Sequence, residues 1–128
     1  MNKLFLKTAA LLGALSVILG AFAAHKLKEI FTPDNLSVFE TAVRYQFYHV
    51  FALLAVGILY ANFPSAKTRW AGYLFITGII LFSGSLYLLC YLKYSLVVSL
   101  GWVGAITPIG GAAFIAGWGM LFLAISKK

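Results

Sequence analysis

The chain has 128 residues, with ten Lys/Arg against three Asp/Glu and a net charge of +7; 62% of it is hydrophobic and only 10% charged. Soluble domains sit near ~45–50% apolar and ~25% charged, and one short chain cannot hide that excess, so lipid is expected to solvate most of its surface. The basic residues stand in small groups between apolar runs, without the aromatic-interleaved stripe of a nucleic-acid binder, and this suits anionic headgroups.

The first apolar run extends from about Leu4 to Ala24, with Lys3 and Lys7 placed to snorkel to the interface. A basic start, an apolar stretch and Ala21-Phe22-Ala23 match the outline of a secretory signal. A cleaved product would still hold three apolar spans and little soluble mass to export, so a retained helix is expected. The next helix is expected over Pro33 to Phe63, with the span proper from about Tyr45. Thr32 suits the N-cap, Pro33 the first helical position and Asp34 the positive end of the helix dipole. Leu36, Phe39, Val43 and Phe47 recur at helical spacing, so Pro33 to Tyr45 reads as an amphipathic segment at, or rising into, the interface.

Pro64, in "NFPSAKTRW", separates the second helix from a third over about Trp70 to Tyr91; "LKYSLVVSL" then leads into a fourth from about Leu100 to Ile125. Short connections make sequential helices antiparallel. The expectation is an all-α, integral membrane up-down four-helix bundle, with residues 1–128 as a single transmembrane domain. Six Lys/Arg (Lys3, Lys7, Lys67, Arg69, Lys127, Lys128) fall on one side and four (Lys26, Lys28, Arg44, Lys93) on the other. The excess favours both termini inside. All three acidic residues, Glu29, Asp34 and Glu40, lie in or near the first connection.

Small residues mark close helix approach in lipid. Gly13, Ser16, Gly20 and Ala24 supply them in the first helix, Ser83-Gly84-Ser85 in the third, and Ala112/Ala116 and Ala113/Gly117 in the fourth. Pro108 interrupts the fourth helix beside Thr107, Gly110 and Gly111. Such a break exposes carbonyls in some transporters, but no membrane-embedded carboxylate accompanies it, which favours a packing kink.

The polar residues concentrate in "FETAVRYQFYH". Glu40, Arg44 and Tyr48 form one row at four-residue spacing, and Thr41, Tyr45 and His49 the adjacent one. Glu40 before Arg44 is the favoured order for an ion pair. His25 ends the first helix on the same side, so His25 and His49 are candidates to approach each other or Glu40. A metal or haem site would use these two histidines, although zinc ordinarily takes three or four ligands. Proton- or cation-coupled transport would use Glu40, Arg44 and His49. The favoured reading is a structural latch of charged hydrogen bonds. No nucleophile–base–acid set is visible, and Cys90, alone in an apolar run, has no disulfide or zinc partner spacing.

The blocks "GAFAAHKL", "FETAVRYQFYHVFALL", "FSGSLYLL" and "GAITPIGGAAFIAGW" resemble the signature blocks of the YwdK/YgdD-like family. These are small four-helix inner-membrane proteins labelled as a domain of unknown function, with a mitochondrial relative in animals. The resemblance covers almost the whole chain, all helices in order. It departs where Ala23 stands in place of the usual glycine and in the length of the connection before Trp102. It implies an integral membrane protein with an intact first helix, and no activity; the family's shared polar positions map to His25, Thr41, Tyr45 and His49.

The expected function is a non-enzymatic scaffold, assembly or accessory protein of the bacterial cytoplasmic membrane, without catalytic residues, cofactor or metal. Its expected partners are the lipid bilayer and a second copy or another membrane protein, not nucleic acid. A small oligomeric transporter or channel is the alternative, and a haem or metal protein comes third.

Overall fold

A computed structural model describes residues 1–96 and 101–126. Leu100, the expected start of the fourth helix, and the basic pair Lys127 and Lys128 lie outside the described residues. Four helices make up the bundle: α1 (Lys3–Ile30), α2 (Pro33–Leu59), α3 (Ala66–Tyr94) and α4 (Gly101–Ser126). Their 26 to 29 residues correspond to roughly 39–44 Å at 1.5 Å per residue. Each is therefore long and apolar enough to cross a hydrocarbon layer of ~30 Å. There is no strand among the described residues. The chain is an all-α membrane protein, as its four long apolar runs implied.

The helix starts follow local chemistry. Orphan N–H groups at a helix start need acceptors, and Asn2, Thr32 and Ser65 each supply one, to Phe5, Asn35 and Thr68 at 3.2, 3.2 and 3.3 Å. Pro33 takes the first position of α2 as expected. The helix ends differ more from the sequence reading. α1 continues past Ala24 to Ile30 because no glycine or proline stops it and Leu27 extends its buried face. It does so through a π-helical turn at Ala23–Leu27. α2 stops at Leu59, short of Phe63, and turns through Tyr60 to Asn62. Pro64 disfavours helical backbone at the residue before it. α3 starts at Ala66, a turn ahead of Trp70, and contains a second π-helical turn at Ile79–Ser83.

α2 and α3 form the centre; α1 packs chiefly on α2, and α4 chiefly on α3. One apolar cluster fills the half near the chain termini, around Phe5, Leu53, Val56, Phe75 and Phe114. Another fills the opposite half, around Ala23, Leu27, Phe39, Val43 and Cys90. Because lipid gives no hydrophobic drive between helices, close contact has to come from shape. The closest approach to another helix's backbone is at Gly110, where an added Cβ would run into α3 at Leu81 and Phe82. Gly78 makes the matching concession on α3, leaving the space the Phe114 ring occupies.

The small-residue pairs of α4 divide. Ala113 and Gly117 turn towards the bundle, while Ala112 and Ala116 are exposed to lipid, a correction to reading both as interface pairs. Pro108 does not break α4, which is continuous from Gly101 to Ser126. Its neighbours Thr107 and Gly110 meet α3, and Pro108 itself faces outwards.

Candidate functional site

Gln46 stands thirteen residues from either end of α2, at about 20 Å from each, and is 1% exposed. A carboxamide at that depth needs partners, since none comes from lipid. Its Nε2 donates to the Leu12 carbonyl of α1 at 3.1 Å, and its Oε1 accepts from the Tyr87 hydroxyl of α3 at 2.7 Å. Ser16 donates to the same Leu12 carbonyl at 2.7 Å, and Ser83 of α3 donates to the Ala42 carbonyl of α2 at 2.7 Å. These groups form a polar layer between the two apolar clusters. Ser85 and Thr107 join α3 to α4 through a 2.6 Å hydroxyl contact. Towards the first connection, Asn35 donates to the Cys90 carbonyl at 3.0 Å, and the Cys90 thiol donates to the Asn35 carbonyl at 3.4 Å.

His49 lies one turn below Gln46, facing α4. It is 5% exposed. Its Nδ1 is 2.8 Å from the Tyr45 carbonyl, and its Nε2 accepts from the Trp118 indole N–H at 3.1 Å. A carbonyl only accepts and an indole N–H only donates, so the arrangement specifies the neutral imidazole with hydrogen on Nδ1. The ring lies flat on Phe114, with centroids 3.5 Å apart and planes 9° from parallel, and Phe75 closes another side at 5.6 Å. Every polar atom of His49 is thus engaged inside a protein cage.

The expected grouping of polar residues separates. His49 belongs to the interior face, whereas Tyr45 is exposed and packs on Phe82 at 4.8 Å. Glu40 and Arg44 are exposed on the outside of α2 and, correcting the expected pair, form no ion pair with each other or with any described residue. Thr41 turns its hydroxyl back to the Ser37 carbonyl at 3.0 Å. His25 is exposed in the π-helical turn of α1. Gly13 faces Val50 and Gly20 faces Val43, which puts His25 level with about Val38. Eleven residues of α2 then separate it from His49, or about 16 Å along the axis, so the two histidines do not share a site. No group of three His, Cys, Asp or Glu positioned to hold a metal occurs among the described residues. Gly111 borders a lipid-facing depression beside Tyr45, His49, Phe114 and Trp118.

Gln46, Tyr87, Asn35 and Trp118 were not singled out from sequence. Gln46 carried a signal, an uncharged carboxamide within an apolar run on a face that buries Val43 and Val50. The partners of Tyr87 and Trp118 lie 41 and 69 residues away in the chain and left no local signal.

Four spans, polar groups bonded between helices and apolar side chains turned to lipid define a small multi-pass membrane protein. Residues 19–111 match the family described as "Protein of unknown function (DUF423)". The chain is 42% identical over 125 residues to the UPF0382 membrane protein SH2409 of Staphylococcus haemolyticus, covering 98% of this chain and 97% of the relative. It is 40% identical over 126 residues to the UPF0382 membrane protein YwdK of Bacillus subtilis, covering 98% of each. The chain belongs to this family of membrane proteins, the one its sequence blocks resemble. No solved structure matches it.

Proposed function

We propose that this protein is a non-enzymatic scaffold or accessory subunit of the bacterial cytoplasmic membrane, with both termini in the cytoplasm. The polar layer around Gln46 carries the reading. At mid-membrane depth, where a transport or redox site would keep polar atoms free for its cargo, Gln46 spends both ends of its carboxamide on α1 and α3. His49 is used in the same way between α2 and α4. The bundle interior is filled in one half by Phe5, Leu53, Val56 and Phe75 and in the other by Leu27, Phe39, Val43 and Cys90, and the depressions open sideways to lipid. Such a body offers helix faces and interfacial charges to a neighbour. The orientation rests on six Lys/Arg at the N-terminus, the start of α3 and the C-terminus, against four on the opposite side.

Native purification with identification of co-purifying membrane proteins tests the reading, alongside flux measurements in proteoliposomes. A reproducible protein partner is expected, and no flux above that of empty vesicles. Ion or proton flux abolished by Glu40→Gln or His49→Ala would instead establish transport.

A further inference from the structure

Arg44 and Glu40 sit one turn apart on the lipid-facing side of α2, yet neither is paired with a described residue. Both border a depression of about 240 Å³ whose other walls are Gly20, Ala23 and Ala24 of α1 and Val43 of α2. The depression exists because three small residues of α1 stand where larger ones would fill the seam. Its charges are the anomaly, since a guanidinium turned to lipid needs a partner.

Helix register gives their depth. Gly20 faces Val43, so Glu40 is level with Ala23 and Arg44 with about Leu19. Counting from the Lys3 end, a ~30 Å hydrocarbon layer takes about twenty residues and ends near Ala24. Glu40 therefore stands at the polar boundary. Arg44 lies about 6 Å further in, just inside the hydrocarbon.

From the membrane interior outwards the order is cation, then anion, with Gly20, Ala23 and Ala24 lining the seam beside and between them. A phospholipid with an amine headgroup has the complementary order: phosphate, then ammonium. The guanidinium fork matches a phosphate in shape as well as charge, and an ammonium one step further out meets the carboxylate. This correspondence is set relative to the nearer interface and holds for either orientation of the protein. A headgroup that is anionic only would satisfy Arg44 but set negative charge beside Glu40. A trimethylammonium headgroup has no N–H to give the carboxylate.

We infer that Arg44, Glu40 and the Gly20–Ala23–Ala24 seam form a binding site for one phospholipid of the phosphatidylethanolamine class, with its phosphate on Arg44 and its ammonium on Glu40. The inference is independent of the scaffold reading, because a transporter would present the same seam.

The test is native mass spectrometry of the detergent-purified full chain, given phosphatidylethanolamine, phosphatidylglycerol and phosphatidylcholine with identical acyl chains. The wild type is expected to retain one phosphatidylethanolamine, in preference to the other two by roughly tenfold. Arg44→Gln should lower that retention by a similar factor. Glu40→Gln should abolish the preference over phosphatidylglycerol while leaving lipid bound. Both variants change exposed side chains and should keep the wild-type thermal midpoint, and His25→Ala should retain lipid as the wild type does. Equal retention of the three lipids by the wild type would overturn the site, as would undiminished phosphatidylethanolamine on Arg44→Gln. Loss of a dimer in Arg44→Gln without loss of lipid would assign the seam to a second copy and would equally overturn it.

Discussion

A single carboxamide joins three helices in this bundle, and its energetic weight is measurable. Hydrogen bonds between membrane helices average ~0.6 kcal/mol and reach ~1.7 kcal/mol, because the unfolded chain in the membrane also finds partners. A double-mutant cycle of Gln46→Leu and Tyr87→Phe, read by reversible unfolding in detergent micelles, should give a coupling in that range. A coupling near zero would mean that the bond does not stabilise the fold. The two histidines should differ. His49→Ala removes a ring stacked on Phe114 and strands the Trp118 indole, with an expected loss of about 2 kcal/mol. His25→Ala, at an exposed position, should stay within about 0.5 kcal/mol. From sequence these histidines were equivalent candidates, because burial depends on how each helix is rotated about its axis, and that rotation is fixed by residues on other helices. The spacing of Glu40 and Arg44 was read correctly as one face of a helix. It did not determine a pair, since two exposed side chains one turn apart are free to point elsewhere.

At the scale of the element, the helices were legible because their signals are local: long apolar runs, the Thr32 cap and two prolines next to connections. Their ends were less so. Nothing between Ala24 and Pro33 stops α1 once Leu27 is buried, and the sequence offers no marker for a π-helical turn. Pro108 shows the converse, a strong local signal that the surrounding helix absorbs without breaking. The glycines of α4 carry an element-level prediction. Gly110→Ala should push α4 off α3 and lower the unfolding midpoint, because the obstacle is backbone at Leu81 and Phe82. Gly104→Ala and Gly119→Ala meet nothing within 4 Å. They should be neutral or stabilising by up to ~1 kcal/mol through helix propensity.

For the whole molecule, the up-down order puts the connection between α1 and α2 opposite that between α2 and α3. In a Cys90→Ala background, Glu29→Cys and Lys67→Cys should react with a membrane-impermeant maleimide from opposite sides of sealed vesicles. In whole cells only Glu29→Cys should label, and labelling of Lys67→Cys alone would invert the proposed orientation. α1 is also bound into the bundle through the Leu12 carbonyl and Phe5. The mature protein should therefore keep the mass of the full chain, and loss of a segment ending near Ala23 would show that the fold forms without it.

The π-helical turns at Ala23–Leu27 and Ile79–Ser83 have a genealogical meaning. Each accommodates one residue more than a regular helix would need to keep both of its halves in phase with the same neighbours. They behave as one-residue insertions tolerated without loss of the packed faces before and after them. Relatives shorter by a single residue in α1 or α3 should then align with their gap inside these two pentapeptides and show an uninterrupted α-helix there. Elsewhere in the spans a one-residue gap would rotate every following side chain by about 100°, away from the partners described above. Length variation within the family should accordingly collect at these two turns and in the connections.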